Sequence, residues 1–329
     1  MNAAKPLLPL IPASFFAMTL GLAETGNAWR FAADHWGLPT AVGEVLQGLA
    51  VISFMWWIAL YANKWLAHRE AALAELRDPV QSAFIALIPE SVILIALALQ
   101  PYHHGIALAM FWIGSVTNLL YGVIRMAATW RVQREPSQTV PPLLLTYTAS
   151  VLVNALAAGL FGYVAYGWML FGIGALSWLI LDSVMTQQLM TGGLAARTRN
   201  FMGIYMAPSV VALVAYQVLS GDRASPEIVF ALCGYALFIT AALLVAWRWL
   251  REQDFAAGYW AYTFAVATLA QGVILAAEHH PEPGLKLAAI LTFAAALLVT
   301  AAVGVATLRL WLKGGYYPVA PTAPLVTTR

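Results

Sequence analysis

The chain has 329 residues, of which 61% are hydrophobic and only 10% charged. Soluble domains carry about 25% charged residues, so this composition excludes a soluble globular protein and predicts an integral membrane protein. The net charge of +2 resides in the links between apolar runs and implies no nucleic-acid partner.

Ten apolar runs follow one another at 9–29, 42–63, 80–99, 105–124, 142–163, 167–188, 200–219, 228–247, 258–277 and 285–308. Roughly 20 apolar residues rising about 1.5 Å each cross about 30 Å of hydrocarbon as a helix. Barrel strands are about half as long and alternate apolar with polar residues, so the predicted fold is all-α with ten transmembrane helices. The first run holds Pro12, Thr19, Gly21 and Glu24. It lacks a basic leader and a small-residue cleavage site, so it is expected to be retained. The third holds Pro89 and Glu90. The fifth follows Pro141-Pro142 and carries Thr146, Thr148 and Ser150. The seventh holds Gly203 and Pro208, and the ninth Gly258, Thr263 and Phe264. Proline removes a backbone donor and kinks a helix, and such breaks at membrane depth are tolerated where they face protein or a water-filled cavity. The even runs are almost free of proline, which favours an inner ring of odd helices with even helices outside.

The links give the orientation. All Lys and Arg residues except Arg30, Arg223 and Lys286 fall on the side where the odd runs begin. Positive charge stays cytoplasmic on insertion, so both termini are expected in the cytoplasm. Outward turns are short and inward links longer, as in five helical hairpins. The stretch 64–79 has the charge pattern of a short helix, and 125–141 reads as irregular. Residues 1–315 are expected to form the membrane domain and 316–329 a disordered cytoplasmic tail.

Several polar residues lie inside or beside the runs. Glu24 and Glu44 are close in sequence to Arg30, which predicts pairing near the outer surface. Asp182 and Arg125 share a depth and are expected to make an ion pair or carbonyl contacts. His103-His104 and Glu278-His279-His280 lack a recognised metal-ligand spacing, and no nucleotide or metalloprotease motif is present, so no metal, cofactor or enzymatic activity is predicted. Cys233 reads as a buried structural thiol.

The segments Phe84-Ile-Ala-Leu-Ile-Pro89, Trp112-Ile-Gly114 with Arg125, Phe171-Gly-Ile-Gly-Ala-Leu-Ser-Trp178, Arg199-Asn-Phe-Met-Gly203 with Ala207-Pro208, and Trp260-Ala-Tyr-Thr-Phe264 together resemble the TehA branch of the tellurite-resistance/dicarboxylate transporter family. That family also holds the plant guard-cell slow anion channels and fungal malate and sulfite transporters. The resemblance runs from about Pro12 to Gly315. It implies a homotrimer in the bacterial inner membrane, each protomer with its own pore. It also implies a phenylalanine plug at mid-depth on the ninth span, and Phe264 matches that position. An aromatic ring in a narrow apolar pore gates by dewetting.

The chain departs from the family pattern in three respects. Thr19 and Thr146 stand where inner-helix prolines are expected, Ala265 replaces a glycine after the plug, and Glu90 replaces an uncharged residue. Three readings stay open for Glu90: a residue paired to another helix, a protonatable pore group, or a cation-selecting group. Two functions follow. One is a gated channel for small inorganic or organic anions, shaped by Pro89, Pro208, Gly203, Gly21 and Phe264 and lined by Thr19, Thr146, Ser150 and Thr263. The other is a proton-coupled carrier of dicarboxylates or oxyanions such as malate, sulfite or tellurite, using Glu90.

Overall fold

The structure, a computed structural model, describes residues 8–318. Lys5, Arg329 and residues 319–329 of the expected tail lie outside the described residues. The described residues form helices and connecting turns, without strands: α1 (Ala17–Trp36), α2 (Thr40–Ala67), α3 (Arg69–Arg77), α4 (Leu87–Leu99), α5 (His104–Arg131), α6 (Ala149–Leu160), α7 (Val164–Thr191), α8 (Met202–Ser220), α9 (Pro226–Val245), α10 (Trp247–Leu250), α11 (Trp260–His279) and α12 (Pro283–Leu312).

Nine helical segments among the described residues are long and apolar enough to cross a membrane. The first segment, Ala13–Trp36, contains Glu24, Arg30 and Asp34 and falls below that hydropathy, yet it packs with the others. Two classes of segment are apparent. Between 72 and 89% of the apolar stretch is buried in 81–99, 141–160, 196–223 and 257–279, against 28 to 39% in α2, α5, α7, α9 and α12. The buried helices close a ring, because α1 packs on α4, α4 on α6, α6 on α8, α8 on α11 and α11 on α1. Each less buried helix packs on its own ring partner and also touches the next one: α2 on α1 and α4, α5 on α4 and α6, α7 on α6 and α8, α9 on α8 and α11, α12 on α11 and α1.

The outer helices are apolar almost all round, as lipid requires, and they bury one narrow stripe. On α7 that stripe is Gly167, Leu170, Gly174, Trp178, Leu181 and Met185, about one residue per turn. At 28 to 30 residues, α2, α5, α7 and α12 reach about 42–45 Å, beyond the hydrocarbon. The link after residue 124 is therefore not irregular at its start, because α5 continues to Arg131.

All five ring helices begin in the same way. A tight 3-10 stretch precedes each: Ala13–Phe16, Gln81–Ala86, Pro141–Leu145, Ala196–Phe201 and Ala257–Tyr259. All five lie at the end of the molecule that carries most of the Lys and Arg, here termed the basic end. Helix starts leave backbone N–H groups without partners, and at the first two starts acidic side chains supply acceptors. Glu75 Oε1 accepts from Ala13 N at 2.7 Å, and Asp78 Oδ1 accepts from Val80 N and Gln81 N at 2.8 and 2.7 Å. Lys64 Nζ donates to Glu75 Oε2 at 2.7 Å and to the Ile11 carbonyl at 3.1 Å. Lys64, a solvated charge by sequence pattern, is thus buried in an ion pair with α3.

The opposite end is tied by Arg30, which donates to both oxygens of Glu44 at 2.8 and 2.6 Å and to the Ala98 carbonyl at 3.3 Å. Tyr102 donates its hydroxyl to the same carboxylate. Glu44 therefore pairs as expected and Glu24 does not. Asp182 is also not bound to Arg125. Its carboxylate accepts from the Tyr235 hydroxyl at 3.0 Å, joining α7 to α9. Cys233 is a buried free thiol. Past α12, Tyr316 is buried and packs against Phe15 and Trp57, so ordered packing extends past the expected domain boundary at 315.

Candidate functional site

The ring encloses a narrow cavity on its axis. Helices following 3-10 turns present side chains three or four residues apart toward it: Ser14, Ala17 and Leu20; Phe84, Leu87 and Glu90; Leu145 and Ala149; Ile204 and Ala207; Gly258, Ala261 and Phe264. Every ring helix contributes, and every contribution straddles or follows the turn where the helix begins. The wall is alkyl and aromatic except for the Ser14 hydroxyl and the Glu90 carboxyl. The space a water can enter is about 20 Å³, room for roughly one molecule. An ion would have to shed hydration there with almost no polar group in exchange, which is the physical basis of a hydrophobic gate.

Phe264 lines this cavity and is 6% exposed. One turn further on, Thr268 donates to the Phe264 carbonyl at 2.9 Å. Pro208, buried within α8, deprives the carbonyl of Ile204 of its helical donor, and Ile204 is a wall residue.

The other residues expected at a pore are at its depth but on a different face. Thr19 shares a hydrogen bond with Ser53 of α2 at 3.0 Å. Thr146 donates to the Leu143 carbonyl at 2.9 Å, Ser150 to the Leu145 carbonyl at 2.6 Å, and Thr263 to the Trp260 carbonyl at 2.7 Å. Gly21 and Gly203 sit in helix seams: an added Cβ would lie 1.9 Å from Thr263 Oγ1 and 2.7 Å from Tyr262 N, respectively. Each of these residues, and each of the two prolines, is an immediate sequence neighbour of a wall residue. One residue turns a helix by about 100°, enough to move a side chain from axis to seam.

Glu90 faces the cavity, is 1% exposed, and its Oε2 has no hydrogen-bond partner. The pairing reading for this residue is not met, since the three ion pairs among the described residues are Arg30–Glu44, Lys64–Glu75 and Arg199–Glu252. Glu24 is 2% exposed, with Oε1 unpartnered and Oε2 accepting from Asn27 Nδ2 at 3.2 Å. It lies four residues past the wall residue Leu20 and beside Thr268, one turn past Phe264 on α11. Sequence proximity to Arg30 concealed this; the i, i+4 relation to Leu20 was the available signal.

Toward the basic end the cavity meets a wider vestibule of about 320 Å³, which shares Ser14 and Gly258 with it and adds Gln81, Arg197, Asn200 and Gln253. Gln253 fixes part of its rim by accepting from Asn200 N and donating to the Arg197 carbonyl, both at 2.8 Å. The arrangement is a polar, cation-bearing mouth leading to an apolar constriction. No group of three or more metal-ligating side chains comes together among the described residues.

Comparison with known proteins bears on this architecture. Residues 11–308 match the family model described as voltage-dependent anion channel, SLAC1. The tellurite resistance protein TehA homolog of Haemophilus influenzae is 31% identical over 271 residues, covering 82% of each chain. The S-type anion channel SLAH2 of Arabidopsis thaliana is 23% identical over 329 residues, covering 95% of this chain and 62% of that protein.

Proposed function

Because the chain belongs to the SLAC1 family of voltage-dependent anion channels, a family of membrane anion channels and transporters and not of enzymes, we propose that it is a gated anion channel of the bacterial inner membrane, closed at mid-depth by Phe264. The observation that carries this reading is the closed ring of five buried helices around a cavity of about 20 Å³ whose wall includes the Phe264 ring. The permeant species are small inorganic or organic anions. Arg197 at the vestibule concentrates them, and the apolar wall holds the resting pore dry. Selectivity comes from pore width and from backbone polarity exposed where Pro208 interrupts α8; Pro89, in the first turn of α4, breaks no helical bond.

Each protomer of a homotrimer would carry its own pore, with the ten helices crossing so that both termini face the cytoplasm. The exclusion of all but three Lys and Arg residues from the opposite side supports that orientation. A second reading rests on Glu90: a carboxyl on the wall of an anion path favours a proton-coupled carrier of dicarboxylates or oxyanions such as malate, sulfite or tellurite. The two readings separate in liposomes. Phe264→Ala should speed passive chloride and nitrate efflux by at least about tenfold, about 1.4 kcal/mol off the barrier. Efflux that stays at the wild-type rate and follows only an imposed proton gradient would favour the carrier.

A further inference from the structure

Glu24 and Glu90 form an arrangement that neither reading requires. Both are almost wholly buried, both keep a carboxyl oxygen without a partner, and they stand on adjacent ring helices. Glu90 faces the cavity beside Phe264. Glu24 stands one turn beyond Leu20, past the ring, at the level of Thr268. Their helices, α1 and α4, pack directly on one another.

Among the described residues no cation answers them. On the helices packed against them, the charged groups are engaged elsewhere or lie at the ends. On α1, Arg30 is held by Glu44 of α2, and Asp34 and His35 are in the last turn. On α2, Lys64 is held by Glu75, and Tyr61 lies beside it at the basic end. On α5, Tyr121 donates to the Ser82 carbonyl, while Arg125 and Arg131 occupy its basic end and His104 its opposite end. On α11, Tyr262 donates to the Arg199 carbonyl at 3.3 Å, and Glu278 and His279 end the helix. On α12, Lys286 and Arg309 stand near opposite ends. Helix α6 has no ionisable side chain. The polar side chains against Glu24 are neutral, the Asn27 amide and the Thr268 hydroxyl.

We propose that Glu24 and Glu90 are a proton-binding pair beside Phe264, and that anions pass only while this pair is uncharged. Two unpaired carboxylates in a dry, low-dielectric passage repel each other and repel every anion that approaches. Bound protons remove both obstacles. Falling pH therefore permits anion flow, and rising pH turns the open passage into one that repels anions and attracts cations. The proposal rests on the axis being the conduction path, and it specifies what regulates that path.

The test uses the full-length protein. With Phe264→Ala as the open background, anion current in planar bilayers should rise on the order of tenfold between about pH 8 and about pH 6, since each pH unit above a titration midpoint changes occupancy up to tenfold. The chloride-to-sodium permeability ratio should rise in step. Adding Glu24→Gln and Glu90→Gln should leave a large current whose size and selectivity no longer follow pH. A pH dependence that survives both glutamines, in protein that elutes and melts like the parent, overturns the proposal. A second readout is independent of conduction. The infrared C=O stretch of protonated carboxylic acid in the wild type near neutral pH should be lost in the double glutamine variant. Its absence from the wild type also overturns the pair. If the infrared band behaves as expected while Phe264→Ala passes no current, the pair stands and the plug assignment fails.

Discussion

Two buried glutamates, Glu75 on α3 and Glu90 on the ring helix α4, show the difference between holding a fold together and leaving it poised. At the basic end Glu75 is 4% exposed and fully answered: Lys64 binds one oxygen and the Ala13 amide the other. On the axis Glu90 is 1% exposed, with an oxygen bound by nothing. Burial alone does not distinguish them. The partners do, because a carboxylate whose lone pairs are satisfied fixes geometry, whereas an unsatisfied one in an apolar passage makes its surroundings sensitive to its charge.

The sharpest way to break that contrast is to neutralise each in turn. Glu75→Gln leaves Lys64 charged and buried without its counter-ion, and removing one partner of a buried pair costs about 3–5 kcal/mol. Thermal melting in detergent should drop markedly for this variant, while Glu90→Gln should melt within about 1 kcal/mol of wild type or slightly higher. Equal losses at the two sites would erase the distinction. A smaller effect is expected at the opposite end of the molecule. Arg30 and Glu44 are partly exposed, with side chains 17 and 36% accessible, so Arg30→Ala should cost about 1 kcal/mol or less, read by the same melting assay. Smallest is Thr19→Val, which gives up one interhelical hydrogen bond worth about 0.6 kcal/mol and should leave conduction untouched, whereas Leu20→Asn wets the wall and should raise leak through the closed pore. If the valine variant alters flux and the asparagine variant does not, the assignment of faces on α1 is reversed.

That one-residue margin separates what was legible in the sequence from what was not. The apolar runs located every long helix to within a few residues, except where α1 and α5 extend past their apolar runs to Trp36 and Arg131. Hydropathy reports where lipid is and not where a helix stops. The depth of the site was also legible: Pro89, Pro208, Thr146, Ser150, Thr263, Thr19, Gly21 and Gly203 each adjoin a wall residue. Their face was not. In a helix that is apolar all round there is no polar stripe to fix rotation. The hydroxyls that looked like lining groups are instead satisfied by carbonyls of their own turns or by Ser53. The wall residues Ala17, Ala149, Ala207 and Ala261 are too ordinary to draw notice, though their recurrence at one height is the signal of a narrow axis. Phe264 drew notice only through the family motif, and Glu24 was masked by the nearer-looking pairing with Arg30. The Lys64–Glu75 pair was not legible, because it depends on α3 folding back under α2.

The most direct test compares two adjacent residues. Steady-state chloride current in planar bilayers is to be measured for Phe264→Ala and Thr263→Ala at equal protein incorporation. Phe264→Ala should carry at least about ten times the wild-type current, about 1.4 kcal/mol of barrier, with an anion-selective reversal potential in acid. Thr263→Ala should match the wild type. Wild-type current from a well-folded Phe264→Ala protein, or an equal rise from both substitutions, would contradict the account that the ring axis is the conduction path and Phe264 its plug.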